Sequence, residues 1–270
     1  MNRINLHIHT NASDGVHDYK KVILNCIKSG LEIISITDHD NVERLQEILN
    51  FAKNEKIQVI SGVELTADYP EGVCHILGYN IDIKKINEFN KDIKKSRIIK
   101  AKKIIKSLNQ LGYDINYNEV LKLCSNGIVG RREIAKILVL KKYFKSEDVV
   151  MKEIFNKDEI AHFKTKGKTI KDCVNAIKQS SGIAVIAHPW TLNLCVEQLK
   201  EFIMKYNLDG IEVYNHNISY NYYCKLNQLA EDLNLYKTCG TDYHGREGFN
   251  DLIVNQDVDC TKILNEIIER

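Results

Sequence analysis

The stretch LEIISITDHDNVERLQEILNFAKNEKIQVISGVE, residues 31–64, decides how the chain folds. It opens on an apolar run, Ile33–Thr37, passes through a helical pattern over Val42–Asn54, and returns to a second apolar run, Gln58–Val63. Strand, helix and strand within about 30 residues form the unit from which parallel sheets are built, because parallel neighbours need a crossover. The rhythm recurs on both sides. Further candidate strands are Arg3–His7, Val73–Tyr79, Ile183–Ala187, Gly210–Val213 and Leu235–Thr241. Helical patterns cover Asp18–Ser29, Thr169–Ser180, Cys195–Tyr206 and Tyr220–Asn234. This alternation predicts an α/β protein with a mostly parallel sheet and helices outside it. A closed barrel and an open sheet both fit the periodicity.

Between residues 86 and 168 the rhythm stops, and the chain reads as helices without a strand. We expect an inserted helical subdomain there, with 1–85 and 169–270 forming the main domain. The two prolines, Pro70 and Pro189, mark no linker, and no repeats occur.

A net charge of +2, with 27% charged and 44% hydrophobic residues, gives no overall field toward nucleic acid or a membrane. The local basic run from Lys84 to Lys106 reads as a solvated helix face. No apolar run approaches the roughly 20 residues of a membrane span. The first strand pattern starts within five residues, which leaves no room for a signal peptide. Eight cysteines without a C-x-x-C pair read as reduced thiols, and a cytoplasmic protein is expected.

The chemistry gathers at the strands. His7 and His9 end the first, and alternation points both the same way. Asp38-His39-Asp40 follow the second strand, Glu64 the third, and His75 lies in the fourth. His188 follows IAVIA, Glu212 lies in GIEVY, and Asp242 and His244 follow KTCGT. In a parallel α/β fold the C-terminal strand ends share one face, so these side chains are expected to converge. Imidazole with carboxylate and no thiolate suits Mn, Fe or Zn in a catalytic site. Nine candidate ligands, His7, His9, Asp14, His39, Glu64, His75, His188, Asp242 and His244, exceed the needs of one ion and fit two or three. Asp38, Asp40 and Glu212 are expected to orient ligands. The excess positive charge would draw an anionic substrate, for which phosphate esters are natural candidates.

Taken in order, H-x-H (7–9), S-D-G (13–15), T-D-H-D (37–40), G-V-E (62–64), His75, A-H-P (187–189), G-I-E-V-Y (210–214) and T-D-Y-H-G (241–245) resemble the PHP (polymerase and histidinol phosphatase) family of metal-dependent phosphoesterases. The resemblance implies a distorted seven-stranded β/α barrel. It points to the nucleotide phosphatase branch with a helical insertion, whose members act on 3′,5′-bisphosphonucleotides or on short RNA from its 5′ end. It also implies one metal on His7, His9, Glu64 and Asp242, a second on Asp14, His39 and His244, and a third on His75 and His188 bridged by Glu64. The branch motif G-R-P-H-x-A stands here as Gly130-Arg131-Arg132-Glu133-Ile134-Ala135, which implies that Arg131 clamps the substrate phosphate, with Arg132 nearby. A metal-activated hydroxide would attack phosphorus, and His244 or a metal-bound water would assist the leaving oxygen.

Three departures stand out. Asn5 replaces the usual aspartate near the first metal, Glu133 replaces a histidine, and Ile218 stands where the branch often has a histidine, with His216 as its substitute in substrate binding. Glu133 would repel a phosphate unless it pairs with Arg131 or Arg132. His17 reads as an exposed residue before a helix, and His162 has no motif support. The expected partner is a small phosphorylated substrate, with no membrane and no stable nucleic-acid complex. Alternatives are a histidinol-phosphate phosphatase, an amidohydrolase-like metal hydrolase, and a silent metal-binding module.

Overall fold

The computed structural model describes residues 3–70, 72–124, 129–155, 168–215, 218–246, 251–255 and 257–269, the side chains of 92–94, 96 and 268 excepted. The chain divides into two compact units, Met1–Phe89 with Lys168–Arg270, and Asn90–Gly167.

The first unit is a seven-stranded, nearly closed barrel. Its strands are β1 (Ile4–Ile8), β2 (Ile33–Ile36), β3 (Gln58–Tyr69), β4 (Gly72–Tyr79), β5 (Ile183–Ile186), β6 (Gly210–Tyr214) and β7 (Tyr236–Cys239), and they lie side by side in chain order. Around them pack α1 (Tyr19–Lys28), α2 (Leu45–Ala52) and the start of α3 (Ile83–Gln110). In the second unit α3 continues, followed by α4 (Tyr117–Leu121), α5 (Arg131–Leu140) and α6 (Glu147–Val150), which runs into a π turn at Met151–Phe155. The barrel resumes with α7 (Ile170–Gln179), α8 (Val196–Tyr206), α9 (Tyr220–Asp232) and α10 (Thr261–Glu269). Among the described residues, no helix is long and apolar enough to cross a membrane.

Local sequence explains where the helices start. The Asp18 carboxylate accepts from the backbone N–H of Lys20 and Lys21 and opens α1. Thr169 and Asp172 form a reciprocal capping box at α7. Burial then fixes each element, since β5 is buried at all four positions and α7 turns Ile170, Cys173, Val174 and Ile177 inward. The second unit has its own core, which includes Ile104, Leu108, Ile134, Leu138 and Phe155.

The sheet is less parallel than the sequence implies. β1/β2, β2/β3, β5/β6 and β6/β7 are parallel, but β3/β4 and β4/β5 are antiparallel. β3 runs on past Val63 to Tyr69, so β3 and β4 form a long ribbon in which Thr66 pairs with His75. The barrel closes just beyond β7, where the backbone N–H of His9 donates to Tyr243 O at 2.8 Å. Gly240 lets the seam form, because a Cβ there would stand 2.2 Å from the His7 Cβ.

Candidate metal centre

Along β1 and the residue just after it, Asn5, His7 and His9 alternate with Leu6 and Ile8, so the polar three share one face. All five are fully buried. His39 follows β2, and Glu64 sits inside β3. His75 comes from β4, which runs against β3 and so presents a ligand near its start. His188 follows β5, Glu212 lies in β6, and Asp242 and His244 follow β7.

Glu64 is the hub. Its Oε2 stands 3.2 Å from His7 Nε2, 3.1 Å from His9 Nε2 and 3.0 Å from His39 Nδ1. Its Oε1 stands 3.1 Å from His75 Nδ1 and 3.0 Å from His188 Nε2. Asp242 Oδ1 is 3.3 Å from His7 Nε2 and 3.0 Å from His9 Nε2, while Asp14 Oδ1 is 3.0 Å from His244 Nε2 and 3.9 Å from His39 Nε2. Three groups have ligand atoms that all lie within 4.8 Å of one another: His9, Asp14, His39 and His244; His7, His9, Glu64 and Asp242; and His39, Glu64 and His75. His188 joins the last through Glu64 and through His75 Nδ1 at 3.3 Å.

The atoms converge without bonding one another well. Glu64 Oε2 and Asp242 Oδ1 are buried and accept no hydrogen bond despite the close imidazole nitrogens, and His7 and His9 turn their Nε2 atoms together at 3.1 Å. Lone pairs aimed at a common point, with acceptors holding the opposite ring nitrogens of His7 and His244, fit a cation. His7 donates from Nδ1 to Glu212 Oε1 at 2.9 Å, and His244 Nδ1 donates to the Asp242 carbonyl at 2.7 Å. Both tautomers leave Nε2 as an acceptor. For His244 this is a ligand's tautomer.

Burial and charge set the protonation of the cluster. Burial alone would depress His7, but Glu64, Glu212 and Asp242 outweigh it and hold its pKa well above the ordinary value. Burial likewise opposes charge on His9, yet Asp242 and Glu64 push it up to about 10. His188 is raised by Glu64 and Glu212 against the same desolvation, whereas desolvation wins at His39 and lowers it well below normal. Burial would raise the carboxylates, but the imidazoles around Glu64, Asp242 and Asp14 hold all three below their usual range. Asp40, His188 and Asp242 have positive φ of 48°, 26° and 53°, strain that the surrounding bonds hold in place.

The expected orienting residues divide. Glu212 bonds His7 and also accepts from the His188 backbone N–H at 2.6 Å. Asp38 accepts from the Thr10 N–H and hydroxyl and from Ser13 Oγ, and so shapes the loop that carries Asp14. Asp40 accepts from the Thr66 N–H and pins β3. Asn5 accepts from the backbone N–H of His7 and Thr241, and donates to Thr241 Oγ1 and Leu252 O. Arg131 and Arg132 are exposed at the start of α5 in the second unit. Glu133 pairs with neither; its carboxylate caps its own helix by accepting from the Gly130 N–H at 3.0 Å. His17 is half-buried rather than exposed, with Nδ1 3.0 Å from Tyr243 Oη. His162 and His216 lie outside the described residues.

A cleft of about 280 Å³ opens beside the cluster. Besides Asp14, His39, His75, His188, Asp242 and His244 it is lined by Trp190, Thr191, Asn215 and Arg246, none of which the sequence singled out. Their signal was position alone, Trp190 directly after A-H-P and Arg246 directly after T-D-Y-H-G.

The sequence pattern of the PHP domain matches residues 5–179. The chain belongs to the PHP domain family. The family is one of metal-dependent phosphoesterases, and this PHP protein is a hydrolase of that class. A 5′-3′ exoribonuclease of Haemophilus influenzae is 26% identical over 95% of both chains. A 3′,5′-nucleoside bisphosphate phosphatase of Chromobacterium violaceum is 26% identical over 100% of this chain and 98% of its own. Among solved structures, a chain described as an amidohydrolase from Chromobacterium violaceum with bound sulfate superposes with a TM-score of 0.82, at 25% identity over 99% and 96% of the two chains. A Bifidobacterium adolescentis chain at 22% identity, with a TM-score of 0.78 over 98% and 95%, shares the fold. His188, Asp242 and His244 lie beyond the matched pattern, and the barrel brings them back to the residues within it.

Proposed function

We propose that this PHP protein is a phosphatase that removes a phosphate monoester from a nucleotide, either a 3′,5′-bisphosphonucleotide or the 5′ end of a short RNA. One observation carries the proposal: a single buried carboxylate, Glu64, is shared by five imidazoles, of which His39, His75 and His188 line an open cleft. Such a donor set suits two or three divalent ions of Mn, Fe or Zn. His7, His9, Glu64 and Asp242 would hold one, Asp14, His39 and His244 a second, and Glu64, His75 and His188 a third. When bound, the metals supply Lewis acidity toward phosphate oxygens and activate water. The protein's own part is to aim these ligands. Glu212 fixes the His7 tautomer, the Asp242 carbonyl fixes that of His244, and Asp38 holds the loop of Asp14 in place. The leaving oxygen would take its proton from His244 or from water. Relatives that cleave nucleoside bisphosphates and RNA over nearly the whole chain length support the nucleotide as substrate. Eight cysteines without a C-x-x-C pair support a cytoplasmic setting.

A phosphate-release screen with Mn²⁺ tests this, over 3′,5′-bisphosphonucleotides, mononucleotides, 5′-phosphorylated short RNA and histidinol phosphate, alongside metal analysis of the purified protein. Nucleotide turnover is expected to lead. Preference for histidinol phosphate would replace the substrate, and failure on every phosphate ester would end the proposal. Arg131→Ala in the same screen tests the phosphate-binding role implied by its motif.

A further inference from the structure

We propose that Trp190 forms the wall of a nucleobase subsite at the cleft, where the base of the substrate stacks on the indole. The inference rests on the nucleotide reading above and adds how the non-phosphate part is recognised. Trp190 is the only tryptophan in the chain, and it sits in the 3₁₀ turn Pro189–Leu192 immediately after His188. Proline at the first position of that turn, packing of the indole against the barrel core, and a 3.0 Å bond from Thr191 Oγ1 to His188 O fix its place. The indole is half-buried and meets the His188 ring at 66° with centroids 6.0 Å apart. That edge-to-face contact engages at most one indole face.

The lining of the cleft makes the choice. Every other lining residue is an imidazole, a charged group or a polar amide or hydroxyl; Trp190 alone offers a large apolar surface. A cleft of about 280 Å³ is at the small end of ligand sites, which commonly span about 300–1,000 Å³. It has room for a phosphate and its sugar over the cluster, so a base must extend toward the rim. Trp190 lines this cleft, and an aromatic wall receives any base, since stacking needs only a π-face. Arg246 lines the same cleft, with Nη2 3.6 Å from Asp14 Oδ2, and adds a cation beside the phosphate position.

Because Trp190 is the sole tryptophan, its emission reports the contact directly. The full chain loaded with Mn²⁺ is mixed in a stopped-flow instrument with adenosine 3′,5′-bisphosphate, ribose 5-phosphate or inorganic phosphate. The bisphosphate is expected to quench the emission before turnover, and the other two to leave it nearly unchanged. Trp190→Ala is expected to lower the kcat/KM preference for the bisphosphate over ribose 5-phosphate by about five- to a hundredfold, with Trp190→Phe restoring most of it. Equal quenching by all three probes would overturn the proposal, as would an unchanged preference ratio in Trp190→Ala. In those cases turnover of either ester leaves the phosphatase standing. Quenching by the bisphosphate without hydrolysis of any ester would instead sink the phosphatase and keep the subsite.

Discussion

Replacing Glu212 with glutamine removes a charge and one acceptor while changing almost no volume. Its Oε1 accepts from His7 Nδ1 at 2.9 Å and its Oε2 from the His188 backbone N–H at 2.6 Å, both in a fully buried setting. The carboxylate therefore satisfies two donors at once. A glutamine offers one oxygen and must turn its NH₂ toward the other donor. If the NH₂ faces His188, two N–H groups oppose each other in a buried site, a penalty of about 1–3 kcal/mol. If it faces His7, the ring must accept at Nδ1, which moves its proton to Nε2. That nitrogen is the one directed at Glu64 and Asp242. Either outcome degrades a ligand, and partners of this kind are worth about 10- to 100-fold in metal affinity, or about 1.4–2.8 kcal/mol. Calorimetric titration of Mn²⁺ into chelator-stripped Glu212→Gln is expected to show that loss, with circular dichroism unchanged. A dissociation constant within about twofold of the parent, in a folded variant, would refute the role given to Glu212.

Metal-free protein should lose stability as pH rises from about 6.5 toward 10. The His9 pKa is raised from 6.5 to about 10, so its contribution is complete below the unfolded value and lost through the folded one. Mn²⁺ affinity should move the other way and strengthen over the same range, because binding must displace those protons; thermal melts with and without Mn²⁺ read both slopes. Asn5→Asp replaces a donor pair aimed at Thr241 Oγ1 and Leu252 O with acceptors, and is expected to cost about 1–3 kcal/mol in denaturant titrations. Gly240→Ala puts a Cβ 2.2 Å from the His7 Cβ and 2.8 Å from its backbone N; the seam must shift, and a destabilisation of about 1–3 kcal/mol with weaker Mn²⁺ binding is expected.

The strands were legible because each is a short apolar run between helical patterns, and six of the seven lie within two residues of their expected ends. β3 was not, since Glu64, Thr66 and Asp68 interrupt the apolar run beyond Val63. In an antiparallel ribbon those polar residues belong to an alternating pattern with one face partly open. The reversal at β4 was hidden for the same reason. Convergence of the histidines followed from strand ends sharing one face, but tautomers, and Glu64 as the common partner, depend on side-chain approach across five strands. Glu133 shows the limit of motif comparison: a residue matched to a family position serves here as a helix cap. Trp190 and Arg246 escaped notice because neither residue type is a metal ligand and neither falls in a motif.

The barrel's closing seam is also where its ligands lie. His9 bonds Tyr243 across that seam, with Asp242 and His244 on either side of the tyrosine. An ion held by His7, His9 and Asp242 would staple the first strand to the segment after the last, closing a loop of more than 200 residues. Cross-links over such lengths act chiefly on the unfolded chain, whose freedom they remove. Loading the centre would then work as a clasp, and stripping it should show first as faster amide exchange along β1 and β7, the first and last strands that the clasp joins.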